Sequence, residues 1–149
     1  MSEIQVRELS GDDVETIMPL MIQLGYELNI DDLRARFDSI SGARGHAILG
    51  AEKDGQLAGF CHVYARPALE KPPEAIVQSL VVDTGERKSG IGRALMQAVE
   101  DFARRQGFAS VALYSQMERK DAHAFYGSLG YELIATSGLL RKALEAPPS

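Results

Sequence analysis

Residues Ala75 to Asp83, AIVQSLVVD, form a nearly unbroken, largely β-branched run, and the clearest helical periodicity in the chain follows after a short polar turn. A run of that kind fits a strand buried on both faces. Ile91, Ala94, Leu95, Ala98, Val99 and Phe102 recur at i, i+3, i+4, i+7, i+8 and i+11, one apolar face of a helix that Gly107 ends. A buried strand feeding an amphipathic helix implies a layered protein with helices packed on a sheet. The rest of the sequence reads as parts of the same layers.

Ile4–Leu9 alternates loosely as a first strand, and Ser10 caps a helix running to about Gly25 through Val14, Ile17, Met18, Met21 and Ile22. Asp31–Ile40 predicts a second helix ended by Gly42 and Gly45. His46–Lys53 and Gln56–Arg66 read as strands joined by Asp54-Gly55, a hairpin dipeptide. Ala109–Ser115 is a further strand, Asp121–Leu129 a short helix closed by Gly130, and Tyr131–Ala143 a final strand or hairpin around Ser137-Gly138. The fold class expected is α/β of the α+β type: a mixed central sheet with helices against its faces. At 149 residues one domain is expected over 1–145, with 146–149 as a flexible tail.

Composition excludes several classes. With 45% hydrophobic and 25% charged residues the chain is not disordered over most of its length. No apolar run approaches the ~20 residues of a membrane helix. The lone Cys61 cannot form an internal disulfide and is too few for a zinc site, so no metal is expected. The opening MSEIQVRELSGDD lacks the basic-then-apolar layout of a secretory leader, which points to a reducing cytoplasm. A net charge of −5 argues against a nucleic-acid partner and favours a cationic small molecule.

The chemistry lies between strand and helix. Gly90 and Gly92 remove side chains where an anion would approach backbone N–H groups, and Arg87, Lys88 and Arg93 bring three cations to the same point. Lys88-Ser89 precedes the glycines, so the order is wrong for a P-loop; Leu95 stands where a dinucleotide fingerprint needs its third glycine. What remains reads as a pyrophosphate cradle, against the plainer alternative that Ser89 caps the helix and the glycines ease packing.

Arg87-Lys88-Ser89-Gly90-Ile91-Gly92 resembles the acetyl-CoA signature of the GNAT N-acetyltransferase superfamily, Q/R-x-x-G-x-G/A, with Leu80-Val81-Val82 leading in. Ala122-His123-Ala124-Phe125-Tyr126-Gly127-Ser128-Leu129-Gly130-Tyr131 is similar to that family's second landmark. Arg119 stands where a commoner pattern has asparagine. The resemblance spans essentially the whole chain. It implies a mixed, largely antiparallel sheet with a splayed parallel strand pair, Ala75–Asp83 beside Ala109–Ser115, that admits the pantetheine arm. It also implies cofactor contacts from Leu80, Val81, Val82, Arg87, Lys88, Ser89, Gly90, Ile91, Gly92, Arg93, Arg119 and Tyr126.

The activity implied is direct attack of a primary amine of a small molecule on acetyl-CoA, releasing CoA, with no protein nucleophile. Alternatives are a protein N-terminal or lysine acetyltransferase and a non-catalytic CoA-binding domain. Tyr126 would protonate the leaving thiolate, though its helical spacing also suits a core tyrosine. Glu74 and His62 are the leading candidates for the base, with Tyr64 and Gln78 nearby; His46 and His123 read as structural. Glu27, Asp31, Asp32 and Asp38 would attract a cationic acceptor or form a solvated helix face. Tyr26 and Phe37 are open between pocket and core. A homodimer is also implied.

Overall fold

The computed structural model describes residues 3–145 and divides into two compact units, Met1–Tyr114 and Ser115–Ser149. Residues 146–149, expected to form a tail, lie outside the described residues.

The first unit is built on a five-stranded sheet in the order β1-β2-β3-β4-β5: β1 Ile4–Glu8, β2 His46–Lys53, β3 Gln56–Arg66, β4 Glu74–Val82 and β5 Val111–Leu113. The first four strands are antiparallel, and β5 joins β4 in parallel through three pairs, Ala75 with Val111, Ile76 with Ala112 and Val77 with Leu113. The β2–β3 turn is the expected one: Asp54 and Gly55 both take positive φ, 55° and 77°, the geometry that suits the right-handed twist of paired strands.

Helices lie on both faces. A 3-10 turn, Gly11–Asp13, leads into α1, Val14–Gln23; α2 is Ile30–Ser41 and α3 is Ile91–Arg105. Ser10 is the cap expected of it, and the structure adds a capping box: Ser10 accepts from the Asp12 N–H while Asp13 accepts from the Ser10 N–H. Arg7 clamps Asp13 and Glu52, and its guanidinium holds the Asp13 carboxyl below the usual carboxylate range. Val14, Ile17 and Leu20 of α1 and Leu33 and Phe37 of α2 bury against Ile48, Phe60 and Val81. Phe37 therefore belongs to the core, whereas Tyr26 is exposed.

α3 covers the opposite face. Phe60 faces α1 and α2, so its neighbour Gly59 faces the other way. A Cβ at Gly59 would lie 2.7 Å from the Val81 carbonyl oxygen and 2.8 Å from Ile91 Cγ2. The missing side chain is what lets the first turn of α3 reach the sheet. Cys61 is fully buried on this face, and burial pushes its thiol up to about 12, consistent with the expectation that it is no nucleophile.

The second unit contains α4, Lys120–Ser128. It ends in a left-handed Gly130, φ 94°, with the Tyr131 N–H donating to the Tyr126 carbonyl at 3.0 Å, a Schellman closure. Two expectations fail on this side of the chain. The strand read over Ala109–Ser115 contracts to Val111–Leu113, and the strand or hairpin over Tyr131–Ala143 is absent: no ladder includes residues 129–145. The apolar pattern there is real, but Leu133, Ile134, Leu139 and Leu140 are exposed. A strand exists only through its partner's hydrogen bonds, and periodicity alone supplies none.

Replacing Gly59 by valine forces side-chain atoms into the Val81 carbonyl and Ile91 and should destabilise the fold by about 1–3 kcal/mol. Urea midpoints measure this. Gly11→Ala, whose Cβ meets nothing within 4 Å, is the control and should leave the midpoint nearly unchanged.

Candidate functional site

β4 carries one extra residue. His62 faces Ser79, but the next pair is Val63 with Val77, so Gln78 bulges out of register. The parallel β4–β5 ladder stops at Val77, on the near side of this bulge. From Gln78 to Val82, β4 is paired only with β3.

The direction of the unpaired groups follows from one bond. The Asp83 N–H donates to the Ala58 carbonyl at 2.8 Å, toward β3. Successive residues of a strand point their N–H and C=O to opposite edges. Val81 therefore also faces β3, and Leu80 and Val82 present both backbone groups to the open edge. Val81 has no backbone group for that edge, and its side chain lies in the core at 2% exposure. Of the three lead-in residues named from the sequence, the geometry leaves two that can pair with a ligand.

The open edge leads to the start of α3. Asp83 accepts from the Gly85 N–H, and residues 84–86 form a 3-10 turn. Lys88 then takes a left-handed φ of 65°, unusual and costly for a residue with a Cβ. Gly90, φ 95°, is the residue before α3 and supplies no side-chain cap. Ser89 does not cap the helix either: its hydroxyl donates back to the Glu86 carbonyl. The first bond of α3 to Gly90 comes from Ala94 at 3.0 Å, which leaves the N–H groups of Ile91, Gly92 and Arg93 without intrahelical partners. The Ile91 side chain is buried in the core, so it offers only its backbone. Arg87, Lys88 and Arg93 are exposed, and no carboxylate pairs with them among the described residues. Unpartnered N–H groups, a helix dipole and three cations without carboxylate partners among the described residues form an arrangement suited to an anion.

The loop is tied down by residues the sequence reading did not single out. The Thr84 N–H donates to Gln23 Oε1 at 3.0 Å, fixing it to the end of α1, and Lys53 Nζ donates to Glu86 Oε2 at 3.0 Å, fixing it to β2. Neither Gln23 nor Lys53 lies in a motif, and nothing in local spacing marks them.

On the α1–α2 face, His62, Tyr64 and Arg66 follow one another along β3, with Glu74 opposite Arg66. Glu74 is fully engaged: Arg66 donates to one carboxylate oxygen, and Ser110 Oγ donates to the other at 3.0 Å. His62 is half-buried, and its ring is 2.9 Å from that of His46 on β2. Burial, and then the neighbouring His46, depress its basicity below the usual histidine value. In the α1–α2 segment, Glu27, Asp31 and Asp38 are exposed beside exposed Ile22, Leu24 and Tyr26, while Asp32 is taken up by Asn29, the α2 cap.

In the second unit, Arg119 is exposed at the residue before α4. His123 Nε2 donates to the Gln116 carbonyl at 2.9 Å, the structural part expected of it. Tyr126 is half-buried, with ring contacts to Phe125 and Tyr131 at centroid distances of 5.1 and 6.1 Å. Among the described residues no cluster of three or more metal-ligating side chains occurs, and no helix is long and apolar enough to cross a membrane.

Comparison with known proteins identifies the family and the fold. Residues 14–131 match the acetyltransferase (GNAT) family. The aminoglycoside N(6')-acetyltransferase type 1 of Stenotrophomonas maltophilia is 31% identical over 129 residues, 83% of this chain and 84% of that protein. The uncharacterised N-acetyltransferase YhdJ of Bacillus subtilis (strain 168) is 28% identical over 108 residues, 72% of this chain and 76% of that one. The solved structure of AAC(6')-Iy with a bisubstrate analogue, CoA-S-monomethyl-acetylneamine, superposes with a TM-score of 0.86 at 22% identity, covering 96% of this chain and 100% of that chain. The chain belongs to the GNAT acetyltransferase family and is an acyltransferase that uses acetyl-CoA.

Proposed function

We propose that this enzyme acetylates a primary amine of a small, cationic acceptor, and that it holds acetyl-CoA along the open edge of β4 and the start of α3. The observation that carries the reading is the continuity of two unpaired features: the outward backbone of Leu80 and Val82, and the uncapped N–H groups of Ile91, Gly92 and Arg93. The cofactor fits both ends. Five strand residues, Gln78–Val82, span roughly 16 Å at about 3.3 Å each, room for an extended arm between a diphosphate and a thioester.

When bound, acetyl-CoA supplies the activated acetyl group. The chain's own residues do the rest. The Ile91, Gly92 and Arg93 amides, with Arg87, Lys88 and Arg93, would hold the diphosphate, and Ser89 fixes the turn through Glu86. Leu80 and Val82 would hold the arm as a further strand, and one of their outward N–H groups would polarise the thioester carbonyl. An amine of pKa about 10.4 costs about 4–5 kcal/mol to deprotonate at pH 7, so a base is needed. Glu74 is a poor choice because both its oxygens are committed; His62, kept neutral near pH 7, is the better one. Tyr126, by its place in the second motif, donates a proton to the departing thiolate, and Arg119 adds a cofactor contact.

The acceptor assignment rests on the exposed Glu27, Asp31 and Asp38 and the adjoining apolar residues of the α1–α2 segment, and on the aminoglycoside acceptors named for two relatives. Residues 1–145 act as one domain in this reading, in the cytoplasm, and a second copy makes a homodimer.

Acetyl-CoA at a hundred times its Kd should stabilise the protein by about 2.7 kcal/mol, seen as a rise in Tm. Gly92→Glu, which puts bulk and negative charge at the diphosphate, should abolish that rise while leaving the ligand-free Tm close to its original value. Loss of the shift in the unaltered protein would overturn the reading. Tyr126→Phe should cut kcat about tenfold or more with the acetyl-CoA shift intact. Thiol release on a panel of kanamycin, spermidine and a lysine peptide measures this and identifies the acceptor class; turnover confined to the peptide would refute the small-molecule assignment.

A further inference from the structure

We infer that His46 and His62 form a two-imidazole relay that takes the proton of the attacking amine from the acceptor to solvent. The inference rests on the function proposed above and adds a residue, His46, that no motif contains.

The geometry is specific. His46 opens β2 and pairs across the ladder with Tyr64, while His62 pairs with Ile48, so all three rings lie on the α1–α2 face. His46 Nδ1 and His62 Nε2 are 2.9 Å apart, a hydrogen bond that one ring must donate and the other accept. The rings are stacked, with centroids 5.2 Å apart and planes at 28°. Tyr64 stacks on His46 at 5.2 Å and 15°, closing the other side. Each ring is thus held in one orientation, and the remaining nitrogens, His62 Nδ1 and His46 Nε2, have no hydrogen bond among the described residues. Neither is among the buried unpartnered atoms, so both meet solvent.

Position along the strand gives the pair its role. His62 lies opposite Ser79, directly beside the Gln78 bulge where β4 and β5 part. A thioester held by the Leu80 backbone would lie on the far side of β4, two strand spacings or about 10 Å across the sheet, so a water on the α1–α2 face carries the proton over the remaining gap. The fixed charges on this face do not supply a base. Glu74 is paired with Arg66, and Glu8 and Ser41 line a small cleft with His46, not with His62.

The transfer balances as follows. The acceptor ammonium gives a proton to the intervening water, which gives one to His62 Nδ1; His62 gives its Nε2 proton to His46 Nδ1; His46 releases its Nε2 proton to bulk water. The amine lone pair is then free to attack, neither ring keeps a charge, and exchange with water restores the starting tautomers. Two charged imidazoles 2.9 Å apart repel, so the pair holds one added proton at a time.

The test uses the whole protein and two variants, His62→Gln and His46→Gln. Imidazole nitrogen resonances followed from pH 8 to pH 5 should show the pair taking up one proton, not two. His46→Gln should leave His62 titrating alone at a higher midpoint. With the fastest amine of the panel, His62→Gln should lower kcat by about 10²-fold or more. His46→Gln should lower it less and move the acid limb of the kcat profile to higher pH. KM for acetyl-CoA and its thermal shift should stay unchanged in both. Independent uptake of two protons, or an acid limb unmoved by His46→Gln, overturns the relay. Absence of the acetyl-CoA shift in the unaltered protein would instead overturn the functional reading, and the imidazole titration would still report on the pair.

Discussion

The bulge at Gln78 is the feature on which the site depends. By adding a residue to β4 opposite β3, it ends the parallel ladder with β5 after three pairs and turns Leu80 and Val82 to an edge with no strand beside it. Backbone N–H and C=O groups away from solvent cost about as much as a lost hydrogen bond when left unmet. A last ladder that stops short therefore leaves polar groups of β4 where an extended ligand can satisfy them. α3 repeats the arrangement at its N-terminus, where neither Gly90 nor Ser89 provides a cap.

These unmet groups remain useful only if the segment between them is rigid. Asp83 to Ser89 is short and polar, and such loops are ordinarily the mobile parts of a fold. Here it is fastened to α1 through Gln23 and to β2 through Lys53, with Asp83 and Glu86 making the internal turns. Gly59 contributes from below by letting α3 press onto β3. Elements distant in sequence thus fix this one cationic turn, and a preorganised site loses less entropy on binding.

The strong local signals in the sequence were legible because each has a local cause. The apolar run of β4, the periodicity of α3, the Asp54-Gly55 turn and the Ser10 cap all follow from spacing within a few residues. The glycines and cations of residues 87–93 were legible for the same reason. What escaped depends on partners. Gln78 is an ordinary polar residue until the β3 register makes it supernumerary, and Gly59 is an ordinary strand glycine until Ile91 packs over it. Tyr131–Ala143 has the composition of a strand, but with no ladder to join, its leucines remain exposed. His46 looked structural because its partner, His62, is 16 residues away and meets it only through the hairpin.

Charge distribution follows the same division. The chain carries −5, yet the turn before α3 presents a surplus of cations, because Glu86, the one acid among residues 84–93, is neutralised by Lys53. Arg87, Lys88 and Arg93 are then left for a ligand rather than for the protein. The acids Glu27, Asp31, Asp32 and Asp38 of the α1–α2 segment are exposed in turn, Asp32 bonded to Asn29. Pairing within the fold thus decides which charges remain available: cations at the start of α3 and carboxylates on the α1–α2 segment. A bisubstrate reaction that joins an anionic thioester to a cationic amine needs that separation, because either ligand would be repelled by the other's site.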